Sequence, residues 1–343
     1  MQNNFMEKLE KRAQGVAQGA RPTIVFPESN EDKILKVVAM AVEKKIARPI
    51  LLGNEEAILA QAKALDVSLD GVKLVDPTDR TRCAEYALAF SKERPIFSER
   101  MALKLLKDPL NFSAMMVHLG DADSFFAGLT YTTGEVILAA QTIIGLQEGI
   151  STVSSIGIMD VPGFNGPEGN LIAIGDCAVC ADPKAGELAD IAITSAETAR
   201  SLLCSEPRVA MLSFSTKGSS EHPIVEKVRE AVKIANERRP DLKIDGEFQL
   251  DAAIIPEVAA KKVKVPSEVV GRANVIIFPD LNAGNIGVKL VQRFAKAFAY
   301  GPTLQGFAIP VSDSSRGAPL EEILGGITML AVRVIEHKKR LES

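Results

Sequence analysis

Short runs of Val, Ile and Leu alternate with longer amphipathic stretches along most of these 343 residues. Nothing else in the chain limits its fold as much. An apolar run bounded by Gly or Pro reads as a buried strand, and apolar residues at three- and four-residue spacing read as a helix. Residues 23–26 read as a strand closed by Pro27, followed by a helix capped at Ser29 or Asn30 and running to Lys44. Strand 49–52 closes at Gly53 before a helical pattern through Leu65, and 72–75 is a third short strand. Helical patterns cover 80–92, 99–107 and 135–146, with 114–119 running into the Gly120–Asp123 loop. Further strands are expected at 152–159, 171–174, 209–214, 243–248 and 275–278, with helices over 187–203 and 223–238 and another from near Asn285. Segment 161–169, with three glycines and two prolines, is a turn or hairpin loop. The fold class is α/β.

Composition narrows the function. A chain of this length, 46% hydrophobic, can build two domains with cores of their own. A formal charge of −4 and a pI near 5.7 argue against bulk electrostatic binding to nucleic acid or to an acidic membrane. No apolar run reaches the roughly 18 residues that a bilayer requires, and the charged start, Met1 to Arg12, is unlike a secretory signal. A cytoplasmic protein is expected. Cys177 and Cys180 have redox or metal spacing. Cys83 and Cys204 are lone, however, and His118, His222 and His337 are scattered, so a packing role is expected for the pair. Neither G-x-G-x-x-G after a strand nor G-x-x-x-x-G-K-[ST] is present, which disfavours a common Rossmann dehydrogenase and a P-loop kinase.

The segment from Gly301 to Gly317 carries the most chemistry. A strand-like stretch, 304–311, interrupted by Gly306 and Pro310, ends in Ser312-Asp-Ser-Ser-Arg-Gly317, and a helical pattern starts at Pro319 with Glu321 and Glu322. Hydroxyls, a guanidinium and backbone N–H groups are gathered at a helix start, where anions bind. Such loops in open α/β sheets lie at the carboxyl ends of strands, as Pro27-Glu28 and Ser213–Gly218 also do.

These residues resemble the phosphate acetyltransferase (phosphotransacetylase) family, whose signature reads approximately GP-x-LQG-x-x-x-PV-x-D-L-SRG. The matching residues are Gly301, Pro302, Leu304, Gln305, Gly306, Pro310, Val311, Asp313, Ser315, Arg316, Gly317 and Ile323. Pro27-Glu28, Gly120–Asp123, Leu212–Gly218, Asp245–Gln249, Gly284–Gly287 and Lys289–Arg293 continue the likeness in order. The resemblance implies two α/β domains with an interdomain active-site cleft, related to the isocitrate/isopropylmalate dehydrogenase-like fold. It places residues 1–149 plus 295–343 in one domain and 150–294 in the other. It further implies a cytoplasmic homodimer of acetate metabolism, with coenzyme A, acetyl phosphate and phosphate as substrates and no permanently bound cofactor or metal.

The family reaction exchanges an acetyl group between acetyl phosphate and coenzyme A. A thiol of pKa about 8.5 must lose its proton, charge on the carbonyl oxygen needs donors, and phosphate needs cations. By the resemblance, Glu322 takes the place of the catalytic aspartate and would be the thiol's base, with Glu321 the competing acid. Burial or apolar neighbours should raise its pKa. From its position alone, Glu322 reads as an ordinary acid in the first turn of a helix, favoured there by the dipole. Ser315 would donate to the carbonyl oxygen or steady the thiolate, and Arg316 would clamp phosphate or the carbonyl oxygen. Lys289 would contact phosphate or coenzyme A, and Thr133, Lys92 and Lys217 complete the expected substrate-binding set. Asp121 and Asp123 are left between a cation site and a turn cap.

Departures from the family pattern gather near the site. Leu138 stands where T-x-x-x-x-R-P-A-L-Q places an arginine, Lys92 corresponds to a second arginine, and Ser314 replaces leucine. Losing one charge-assisted contact weakens binding by roughly 1.5–3 kcal/mol. Retention of Ser315, Arg316, Lys289 and an acid at 322 favours an active enzyme, for acetyl or a slightly longer acyl group. The alternative is a catalytically weak paralogue that binds coenzyme A esters. A metal-dependent decarboxylating dehydrogenase would need clustered carboxylates and a nucleotide loop that the sequence lacks.

Overall fold

The apolar runs form two separate sheets in the computed structural model, which describes residues 5–342. In chain order the strands are β1 (Thr23–Phe26), β2 (Arg48–Leu52), β3 (Lys73–Val75), β4 (Ser124–Ala127), β5 (Ser154–Asp160), β6 (Leu171–Gly175), β7 (Arg208–Leu212), β8 (Lys243–Phe248), β9 (Val275–Ile277), β10 (Phe298–Gln305) and β11 (Ser312–Asp313). One sheet has the order β11-β4-β1-β2-β3 and the other β10-β5-β6-β9-β7-β8. The chain divides along the same line. Leu146–Gly306 forms one compact unit, and the residues up to Gly145 together with those from Phe307 form the other.

In the unit built from both ends of the chain, every strand pair is parallel. Parallel sheets are covered on both faces, so their strands are buried throughout; Ile24–Phe26 of β1 and all of β4 are buried. Helix Asp32–Glu43 follows β1 and turns Ile34, Leu35, Val37, Val38 and Ala41 inward, the spacing of a single apolar face. It packs against the C-terminal helix, Leu320–Glu342. Sequence reading misses β4. Its four residues show no alternation, and their extended form comes from pairing with β1 and β11.

The second unit has a mixed sheet. β10 and β6 flank β5 in antiparallel fashion, whereas β6, β9, β7 and β8 run parallel. Met159, Ile172, Ile174, Leu212, Phe248 and Ile276 meet in its core. The domain limits expected at 149 and 294 fall at 145/146 and 306/307. The later limit moves because β10 pairs with β5 from Phe298↔Asp160 to Gln305↔Ser154, which assigns residues 298–305 to the second unit. For the same reason 304–311 is not one strand. The chain leaves β10 at Gly306, whose φ is +99° and where a Cβ would lie 2.6 Å from the Thr152 carbonyl oxygen, and it joins the other sheet at β11. Among the described residues, no helix is long and apolar enough to cross a membrane.

Candidate active site

In the first unit the chain places β2 and β3 on one side of β1 and β4 and β11 on the other. The carboxyl ends of β1 and β4 therefore flank the point where the strand order reverses, the usual place for a ligand. Glu28, one residue beyond Pro27 after β1, is 2% exposed and spans this point. A buried carboxylate needs several donors to offset its lost hydration. Glu28 accepts from the backbone N–H groups of Leu129 (3.2 Å), Thr130 (2.5 Å) and Tyr131 (3.0 Å), and from the Thr130 hydroxyl (2.7 Å). The loop after β4 is fixed by these bonds. Thr132 then caps helix Thr133–Ile143 in a reciprocal capping box with Glu135. A cleft of about 460 Å³ opens beside it, lined by Glu28, Ser29, Asn30, Gly53, Thr130 and Tyr131 among others.

The Ser-Arg-Gly loop lies against this one. Ser312 and Asp313 pair with Phe126 and Ala127, and the Ser314 N–H donates to the Ala127 carbonyl at 3.0 Å. Gly128 permits the approach: its φ is +114°, and a Cβ there would stand 2.5 Å from the Ser314 carbonyl oxygen. The Thr133 hydroxyl donates to the Asp313 carboxylate at 2.6 Å. Burial pushes the Asp313 pKa up, and this outweighs the downward pull of the Thr133 bond. Arg316 donates from Nη2 to the Thr130 carbonyl at 2.9 Å. The Lys33 ammonium, from the first turn of helix Asp32–Glu43, reaches the carbonyls of Arg316 (3.3 Å) and Ala318 (2.8 Å). Ser315, Arg316 and Gly317 stay exposed.

Of the residues singled out from sequence, Thr133, Ser315 and Arg316 lie on these two adjoining loops, and Glu322 occupies the first turn of the helix that follows. Glu322 is exposed, so the burial expected of it is absent. Lys92 is exposed in the last turn of helix Arg80–Glu93, while nearby Arg94 donates to the Ile144 carbonyl at 2.9 Å. Asp121 accepts from the Tyr86 hydroxyl. Asp123 accepts from the Thr23 N–H and hydroxyl and pairs with Lys338 at 2.5 Å, so both acids serve the fold. The Lys33 and Thr130 contacts escaped the sequence reading. One signal existed for Lys33, since a cation in a helix's first turn opposes the dipole.

The second unit holds Lys217 and Lys289. Lys217 is committed locally: its ammonium pairs with Asp245 at 2.5 Å, bonds the Gly246 carbonyl at 2.7 Å and lies over the Phe248 ring. Its loop is held by Glu247, 2% exposed, which accepts from the Ser215 hydroxyl, the Gly218 N–H and Arg229. Burial pushes the Glu247 pKa up, but these donors prevail and hold it at about 2. Lys289 is exposed on helix Leu281–Phe294 and has no ion pair among the described residues. Burial pushes both Cys177 and Cys180 thiols up to about 11, so neither is a ready thiolate.

A family model described as "Phosphate acetyl/butaryl transferase" matches residues 4–331. The chain is 45% identical over 321 residues to a phosphate acetyltransferase of Thermoanaerobacterium thermosaccharolyticum, covering 92% of this chain and 96% of that protein. A crystal structure of a phosphotransacetylase from Streptococcus pyogenes superposes with a TM-score of 0.89 at 36% identity, over 98% of this chain and 99% of that one. At 10% identity and a TM-score of 0.52, a protein from Salmonella typhimurium described as a 4-hydroxythreonine-4-phosphate dehydrogenase shares the fold alone, over 92% of this chain and 99% of its own.

Proposed function

This chain belongs to the phosphate acetyl/butaryl transferase family, and we propose that it moves an acetyl group reversibly between acetyl phosphate and coenzyme A, using the Thr133 and Ser315–Arg316 loops. The observation that carries the site is the state of Arg316. Its guanidinium is held by a neutral carbonyl and, among the described residues, has no carboxylate within salt-bridge distance. An arginine has five N–H donors in a planar fork, so Arg316 keeps donors for an anion beside an exposed serine hydroxyl.

Glu322 takes the thiol proton, and the thiolate attacks the acyl carbonyl carbon. Ser315 and Arg316 donate to the oxygen on which charge develops, and phosphate departs with its negative charge matched by Arg316. Thr133 keeps Asp313 in place by its hydroxyl bond, next to the same loop. Lys289 and Lys92, both exposed and without an ion pair among the described residues, are assigned phosphate or coenzyme A contacts. Lys217 is assigned a share in shaping its loop. Coenzyme A is a substrate in this scheme, and the setting is a cytoplasmic homodimer in acetate metabolism.

The test is acetyl-CoA formation from acetyl phosphate and coenzyme A, followed at the thioester absorbance, with propionyl and butyryl phosphate in parallel. Turnover fastest on acetyl phosphate is expected. Absence of turnover with coenzyme A still bound would leave only the binding paralogue. Glu322→Gln with parental turnover from pH 6 to 9, in an assay limited by chemistry, would remove the base assignment.

A further inference from the structure

Arg316 sits on an exposed turn next to Gly317, where a long side chain would ordinarily sample many rotamers. Here two bonds hold the main chain of the turn and a third holds the side chain. Its backbone carbonyl and that of Ala318 accept from Lys33, and its guanidinium rests on the Thr130 carbonyl. Thr130 is itself held through its N–H and hydroxyl by the buried Glu28.

Lys33 is hard to explain as a stabilising residue. It is half-buried, opposes the dipole of its own helix and, among the described residues, bonds only neutral carbonyls. A partly desolvated cation without a carboxylate partner is unfavourable for the fold. Its service is to the turn, and its charge adds to the positive potential beside Arg316. Glu28 completes the support from the opposite side, and both residues come from the single segment that follows β1.

We infer that Lys33 and Glu28 are positioning residues for Arg316, Lys33 by clamping its main chain and Glu28 by fixing the carbonyl on which its guanidinium rests. This rests on the reading of Arg316 as a substrate-contacting residue. Displacement of a reacting group by about 1 Å can cost about 100-fold in rate, so loss of the Lys33 clamp should be visible in turnover before it is visible in stability.

The experiment measures kcat/KM for acetyl-CoA formation, with thermal unfolding alongside, for Lys33→Met, Lys33→Arg, Glu28→Gln, Arg316→Gln and the double variant Lys33→Met/Arg316→Gln. Lys33→Met is expected to lower kcat/KM about 10- to 100-fold without moving the unfolding midpoint, and Lys33→Arg to restore most of it. In the Arg316→Gln background, Lys33→Met should add no more than about twofold, because the two act as one unit. A full, multiplicative loss in that background, or parental activity in Lys33→Met, overturns the inference while leaving Arg316 in its role. Parental activity in Arg316→Gln overturns both. Should Glu28→Gln fail to fold, the Lys33 cycle decides alone.

Discussion

Glu28 and Glu247 are placed alike in their two units and used differently. Each lies at the carboxyl end of a parallel strand, Glu28 just past β1 and Glu247 within β8, is 2% exposed, and gathers a hydroxyl-bearing loop from beyond a neighbouring strand. Glu247 also has a cation, Arg229, at 3.0 Å, and the lysine of its loop is paired with Asp245. Charge around Glu247 is thus matched inside the unit. Among the described residues Glu28 is satisfied by N–H and O–H dipoles alone, and the loop that it holds offers a neutral carbonyl to Arg316. A buried carboxylate can be satisfied in either way. Ion pairing closes a region, whereas dipoles leave a neighbouring cation free for a ligand.

The sharpest test of this contrast is Arg316→Ala. It should lower kcat about 10²- to 10³-fold, as removal of a transition-state donor does, with an unchanged unfolding midpoint in calorimetry. A comparable loss of stability would make Arg316 a structural residue like Arg229.

Glu247→Gln should do the reverse, since breaking a buried pair from one side costs about 3–5 kcal/mol. Denaturant unfolding would measure it. The pH dependence follows in sign. The folded carboxyl titrates at about 2, below its ordinary 4.5, so its stabilisation is full above pH 4.5 and is lost as pH falls towards 2. Across that window the parent's unfolding midpoint should fall more steeply than that of Glu247→Gln. Equal slopes would remove Glu247 as the acid-sensitive group.

Gly128→Ala should cost about 1–3 kcal/mol through strain at its positive φ and the clash with Ser314, and turnover should drop with it because the two loops are pushed apart. A tolerated alanine would mean that their spacing matters little. The smallest effect expected is from Leu138→Arg. Leu138 is 65% exposed on helix Thr133–Ile143, and a charge-assisted contact there should lower the KM for acetyl phosphate about tenfold. An unchanged KM would mean that phosphate is held without that position.

Much of this was legible in order along the chain. β1, β8 and helix Pro223–Arg238 begin and end where periodicity places them, and β2, β3, β5, β6, β7 and β9 lie within the expected apolar runs to a residue or two. Periodicity reports which side chains are buried, and in a parallel sheet that is decided within a few neighbouring residues. The Ser-Arg-Gly loop was legible because its hydroxyls, guanidinium and glycine are side-chain identities packed into one short segment. Helix Phe5–Gln14 and the short helices Leu250–Ile254 and Pro256–Lys262 are not legible in this way, nor is the start of β10, whose first five residues are exposed or half-buried and carry no burial signal.

Residue order alone therefore settled the α/β class, the positions of most strands and the composition of the Ser-Arg-Gly loop. Tertiary structure settled which sheet each half of 298–313 joins, that β4 is a strand, and that Lys33 meets Arg316 across 283 positions. The acceptors in that last contact are backbone carbonyls, which every residue carries. A bond to a group without chemical identity leaves no mark in the sequence, and it exists only once folding has brought the two segments together.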